Sequence, residues 1–236
     1  KVGVSMPTKD LQRWNQDGAN MKKTLEKQGY VVDLQYANND IATQVSQVEN
    51  MISTGSKVLV IASIDGSALK SVLAQAKAKK IPVIAYDRLI MNSDAVTYYA
   101  TFDNYKVGTI QGNFLVDQLK LKTRTAADPA YIELFTGSPD DNNINFFFGG
   151  AMDILTPYID KGVLVVKSGQ KSKAQCATLN WSTEEAQKRM ENLIASQGYG
   201  PNKQRLDAVY SSNDSVANGI TNALVAAGYT AANFPI

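Results

Sequence analysis

Histidine is absent from the 236 residues of the chain. That removes the commonest metal ligand and the commonest general base, and with them any Ser-His-Asp or Cys-His catalysis carried out by this chain alone. There is one cysteine, Cys176, so no internal disulfide can form; a lone cysteine says little about compartment. No apolar run approaches the ~20 residues that a membrane-spanning helix needs. Neither G-x-G-x-x-G nor G-x-x-x-x-G-K-[ST] occurs, so the two common phosphate-binding loops are missing. Lys and Arg are nowhere clustered and the net charge is only +2, which gives no reason to invoke nucleic acid. No export signal stands ahead of Lys1-Val2-Gly3-Val4, which already reads as a strand; any such segment is expected to have been removed or never present.

What is there is ordinary for a globular protein: 44% hydrophobic and 19% charged residues. The length suits one large or two small domains. Strand and helix alternate from the start. Val2–Met6 is a short apolar run, and Leu11, Trp14, Met21 and Leu25 follow at helical spacing to a terminal Gly29. Val31–Ala37 is the second strand. Ile41, Val45, Val48, Met51 and Ile52 form a helical stripe that ends at Gly55. Val58–Ala62 is apolar on both faces, as a central parallel strand requires. A helix over 68–80, a strand at Val83–Tyr86 opened by Pro82, and a strand at Tyr98–Phe102 complete the first series.

The pattern then restarts. Helices are predicted over 105–121, 145–158, 183–197 and 215–227, and strands over 131–136, 163–168 and 208–212. The chain is thus an α/β protein of two doubly wound parallel-sheet lobes, 1–103 and 104–236. The halves also echo each other: VLVIASIDG…IPVIAYD in the first, LDAVYSSND…FPI in the second. Pro235-Ile236 stands where Pro82-Val83 stands, so a strand begins as the chain stops. The second lobe therefore reads as truncated, with an open edge beside 208–212, and this chain is expected to bind weakly on its own.

Ligands bind at the carboxyl ends of the strands in open parallel sheets. Here those ends collect Arg13-Trp14, Asp87-Arg88, the run Gly137–Asn143, Trp181, and Asn213-Asp214. Carboxylates, guanidinium groups and amides can hold the hydroxyls of a sugar on both sides, and an indole covers its apolar face. No nucleophile stands beside a base, so no enzymatic activity, cofactor or metal is expected. An acid or amide at a strand–helix junction is more often a helix cap, and Asp40, Asp65 and Asp214 suit that role. Asp87-Arg88 does not, since no helix follows. Arg13 sits in the first turn of a helix, where the dipole disfavours a cation. Trp14 shares a stripe with Leu11 and Met21, so core and site are equally open. Trp181 follows an irregular polar stretch, so its loss should harm binding more than stability. Of Phe146, Phe147 and Phe148, at least one must face the cleft or solvent. Cys176 reads as an unremarkable loop thiol.

The segments VGVSMPTKDLQRW, VLVIASIDG, VIAYDRLI, YYATFDN, LFTGSPDDNN, VVKSGQ and SSND together resemble the type I periplasmic binding proteins of sugar ABC transporters, and within them the xylose-binding and multiple-sugar-binding group. The resemblance covers nearly the whole chain. It implies capture of an aldose (xylose, arabinose, glucose or galactose type) between two lobes that close about a hinge. Arg13, Asp87 and Arg88 would contact the sugar from the first lobe, with Trp14 facing it in some members. Asp141 and Asn143 would do so from the second, with Trp181 as a stacking ring and Asn213 or Asp214 as a further contact. It implies an ABC permease as partner, with a chemoreceptor or sensor kinase as a further one, and residence in a periplasm or, lipid-anchored, on the outer membrane face. Sugar-responsive effector domains of transcriptional regulators share the fold and are the rival class. A Rossmann-like enzyme is a third, disfavoured by the missing histidine and phosphate loop.

Overall fold

The strand apolar on both faces lies at the centre of the first sheet. The computed structural model describes all residues from Lys1 to Ile236, which divide into two compact units. The first comprises Lys1–Phe102 together with Asp140–Asn142. Its elements are β1 (Val2–Met6), α1 (Gln12–Lys27), β2 (Val32–Tyr36), α2 (Ile41–Ser53), β3 (Val58–Ile61), α3 (Lys70–Ala78), β4 (Val83–Tyr86) and β5 (Val96–Ala100). The strands pair in parallel in the order β2-β1-β3-β4-β5. The order reverses between β1 and β3, and it is at the carboxyl ends of strands beside such a reversal that α/β sheets place ligands. Val48, Met51, Leu59, Ile61, Leu73 and Val83 fill the core with no or almost no exposure.

The second unit comprises Asp103–Pro139 and Asn143–Ile236. It contains α4 (Asn104–Gln118), β6 (Ala130–Phe135), α5 (Asn143–Asp160), β7 (Leu164–Val166), α6 (Lys173–Cys176), a 3-10 turn (Leu179–Trp181), α7 (Thr183–Gln197), β8 (Ala208–Ser211) and α8 (Asp214–Ala226). The parallel order is β7-β6-β8, so the switch lies between β6 and β8. Helices α4 and α5 approach so closely that a Cβ on Gly108 would stand 2.2 Å from the Phe147 carbonyl oxygen. No strand is assigned at Pro235-Ile236, but Ile236 donates to the Asp207 carbonyl and accepts from the Val209 N–H beside β8. Leu59 donates to Pro82 in the same way in the first unit.

Several sequence expectations need correction. β5 lies two residues earlier than expected, because Ala100 and not Phe102 closes its pairing with β4. By their contacts Asp140–Asn142 group with the first unit and not with the residues on either side of them. Asp40 caps α2 by accepting from the Thr43 N–H, but Asp65 folds back on Ser67 and α3 begins later, at an uncapped Leu69. For α8 the cap is Asn213, which accepts from the Val216 N–H at 2.9 Å; Asp214 is the first helical residue, exposed, where its charge suits the dipole. Of the three phenylalanines, Phe148 enters the core, Phe146 is exposed, and Phe147 is partly covered.

Cys176 is no loop thiol. It ends α6, whose start is fixed by a reciprocal Ser172–Gln175 capping box, and it lies in the second unit's core without exposure. Burial, opposed by Arg189 and reinforced by Glu133, pushes its thiol up to about 11. Since only the thiolate reacts, the native chain should resist iodoacetamide at pH 8 and label promptly in urea. Mass spectrometry of timed samples would check this; fast native labelling would mean that the second unit opens readily.

Candidate functional site

Four of the singled-out residues lie on elements that meet the carboxyl edge of the first sheet. Helix α1 follows β1 after the short connection 7–11 and has no side-chain cap, and its start at Gln12 puts Arg13 and Trp14 in its first turn. The Arg13 Nη2 lies 2.9 Å from both the Asp87 Oδ2 and the Asp17 Oδ2. Burial alone would ease proton loss from this guanidinium, but the Asp87 and Asp17 charges outweigh it and hold its pKa above the usual value. The Tyr86 hydroxyl donates to the same Asp17 oxygen at 3.2 Å, and burial together with the Asp17 charge raises the phenol pKa.

Asp87 leaves β4 with φ of +63°, a left-handed conformation that Asp tolerates better than most residues. The turn is fastened: its N–H donates to Ala100, and its carbonyl accepts from the Tyr99 and Thr101 hydroxyls. This aims the next residue, Arg88, back across the sheet end, where Nη1 donates to the Ser63 carbonyl at 3.0 Å. Arg88 Nε lies 3.0 Å from the Asp141 Oδ2, and both side chains are buried. Trp14 is buried too. The Arg13 and Arg88 guanidinium carbons stand 4.2 and 5.2 Å from its ring centroid, so its face is used by cations and not by the apolar stripe alone.

Gln44 underlies this edge and was not legible as part of it. Fully buried, it donates to the Ser5 hydroxyl and the Ala62 carbonyl and accepts from the Ile64 N–H. It thereby ties together the ends of β1 and β3. Gln44→Leu should cost about 1–3 kcal/mol by orphaning those groups, measured as a lower urea midpoint at unchanged slope. A midpoint equal to wild type would show that water replaces the amide.

In the second unit Asn143 is buried at the start of α5 and accepts from the Asn104 side chain at 3.0 Å. Trp181 is also buried, only 4% exposed. Its indole lies flat on Gly137, where a Cβ would come within 2.1 Å of the ring, and its edge meets Phe147 at a centroid distance of 6.2 Å. The expectation that its loss should harm binding more than stability is thereby revised: the structure makes the ring part of the packing as well. Asn213 and Asp214 sit at the carboxyl end of β8, with Asn213 engaged as the cap of α8. Arg13, Trp14, Asp87, Arg88 and Asp141 thus form one connected cluster within the first unit. In the second, Asn143, Trp181 and Asn213 follow the ends of β6, β7 and β8. Asp17 and Ser63 were missed, although Asp17 stands four residues after Arg13, a spacing that pairs side chains along a helix.

Comparison with known proteins agrees with this architecture. The profile of the periplasmic binding protein domain matches residues 2–236. The multiple sugar-binding periplasmic protein SbpA of Azospirillum brasilense is 51% identical over all of this chain, which spans 64% of its length. The multiple sugar-binding periplasmic receptor ChvE of Rhizobium radiobacter is 53% identical over 97% of this chain, which spans 63% of that protein. Among solved structures, an ABC transporter solute-binding protein from Clostridium phytofermentans with bound β-D-glucose superposes with a TM-score of 0.91. It is 64% identical over 96% of this chain and 68% of its own. The chain therefore spans a little under two thirds of the curated relatives it matches, and it belongs to the periplasmic binding protein domain family.

Proposed function

We propose that the protein is the solute-binding component of an ABC importer, and that it captures an aldose of the xylose, arabinose, glucose or galactose type. The carrying observation is the paired set Arg13–Asp87 and Arg88–Asp141 packed around Trp14. A sugar hydroxyl donates to a carboxylate while accepting from a guanidinium, so such pairs can hold both sides of one hydroxyl with charge-assisted bonds. Asn143, Trp181 and Asn213 or Asp214 are the amide, ring and further polar groups that the second unit offers to the same ligand class. Nothing in the set is a nucleophile next to a base, which supports binding without chemistry. The sugar-binding relatives support the same reading. Export to a periplasm, or anchoring on the outer membrane face, places the protein before the importer's permease, and a chemoreceptor or sensor kinase is a further partner.

A thermal-shift panel tests this. Ligand at a hundred times its Kd adds about 2.7 kcal/mol to folded stability. At least one of D-xylose, L-arabinose, D-glucose and D-galactose should raise the melting temperature with saturation, while amino acids and nucleotides should not. A panel in which no aldose shifts the transition would defeat the proposal.

A further inference from the structure

The backbone under Trp181 is strained. Asn180 and Trp181 both have φ of +56°, a left-handed conformation that is a true outlier for a bulky residue. Such a conformation persists only where its surroundings over-determine it. Here they do. The Asn180 N–H donates to the Ser138 Oγ at 2.9 Å, the Thr178 N–H to the Gly137 carbonyl, and the Thr136 N–H to the Cys176 carbonyl. Cys176–Thr178 is therefore laced to Thr136–Gly137 through the backbone, the turn that follows is held by Ser138, and the indole closes on Gly137.

These two segments need a common anchor, and Arg189 of α7 supplies one. Its Nη1 donates to the Leu134 carbonyl at 2.9 Å, just ahead of Thr136-Gly137. Its Nη2 donates to the Gln170 Oε1 at 2.6 Å, at the entry to the loop that leads to Trp181. Its guanidinium carbon stands 4.0 Å over the Phe135 ring, and the Gln170 carbonyl accepts from the Cys176 thiol. One planar group thus ties the strand end to the loop. A lysine has a single compact ammonium and could not bond both partners while stacking on Phe135.

We infer that Arg189 is a positioning residue: it fixes where the Trp181 indole lies and, through that ring, how tightly the aldose is held. The second half of this inference rests on the sugar-binding function proposed above. The chain has two tryptophans, so 5-fluorotryptophan labelling gives two ¹⁹F resonances, assigned by Trp14→Phe. In Arg189→Lys and Arg189→Met the Trp181 resonance should move or broaden while that of Trp14 stays. Aldose affinity should fall roughly tenfold in both, the order expected for loss of an aromatic contact. Lys188→Met, on the same helix and exposed, should match wild type in both readouts. If Arg189→Met fails to fold, Arg189→Lys decides. A Trp181 resonance that stays in place, or one that moves with affinity within about twofold of wild type, overturns the inference. A wild-type chain that binds no aldose, with the Trp181 resonance still moving in Arg189→Lys, defeats the sugar proposal and leaves the positioning role standing.

Discussion

Arg88→Met should abolish measurable aldose binding and remove about 3–5 kcal/mol of stability, the cost of breaking a buried charge pair. The Arg88 and Asp141 side chains are only 7% and 2% exposed, so water cannot take over for either. Loss of Arg88 also strips the Ser63 carbonyl of its donor. The double variant Arg88→Met/Asp141→Leu removes both charges at once. It should regain most of the stability and none of the binding, because replacing a buried pair by apolar groups is often neutral. Urea unfolding and sugar titration of the single and double variants separate the two effects. A single variant as stable as wild type would show that the pair is solvated in practice.

Trp181→Ala should cost about 3–5 kcal/mol of stability, the usual range for emptying a buried aromatic site. Nothing in the substitution relieves the backbone, since alanine fits a positive φ no better than tryptophan does. Aldose affinity should fall as well, by about 1–3 kcal/mol if the ring covers the sugar's apolar face. Trp181→Phe keeps a ring on Gly137 and should recover part of each loss. Thermal melts and sugar titrations of both variants give the two numbers. Unchanged affinity with an early melt would make Trp181 a core residue only.

The α/β order was legible because each strand and helix carries its own period, and Val58–Ile61 is apolar on both faces as its central place in the sheet demands. Helix caps were less so. Asp65 and Asp214 have the right chemistry for a cap, but the chain's path decides whether the side chain meets a free N–H. At Asn213 the extended backbone does so one residue earlier. Short elements such as α6 carry too few residues to show a period.

Within the candidate site, Asp87-Arg88 stood out because charged residues follow a strand with no helix to cap. Asp141 was legible as a candidate, but its pairing with Arg88 was not, since the two lie far apart along the chain and only the fold brings them near. Gln44 and Arg189 were hidden for another reason. Each sits among polar neighbours on an ordinary helix, and only tertiary packing turns those positions inward to bond backbone carbonyls. The burial of Trp181 escaped notice because an irregular loop suggests exposure, whereas Gly137 opposite it leaves room for a ring to lie flat.

Calorimetric titration of D-xylose, L-arabinose, D-glucose and D-galactose into this chain, and into its Asp87→Asn variant, tests the central claim most directly. The account predicts weak but saturable one-to-one binding of at least one aldose to the wild-type chain. It predicts at least roughly tenfold weaker binding to Asp87→Asn, because a charge-assisted hydrogen bond becomes a neutral one and Arg13 loses a partner. No saturable heat from any of the four sugars, or equal binding by Asp87→Asn, would contradict it.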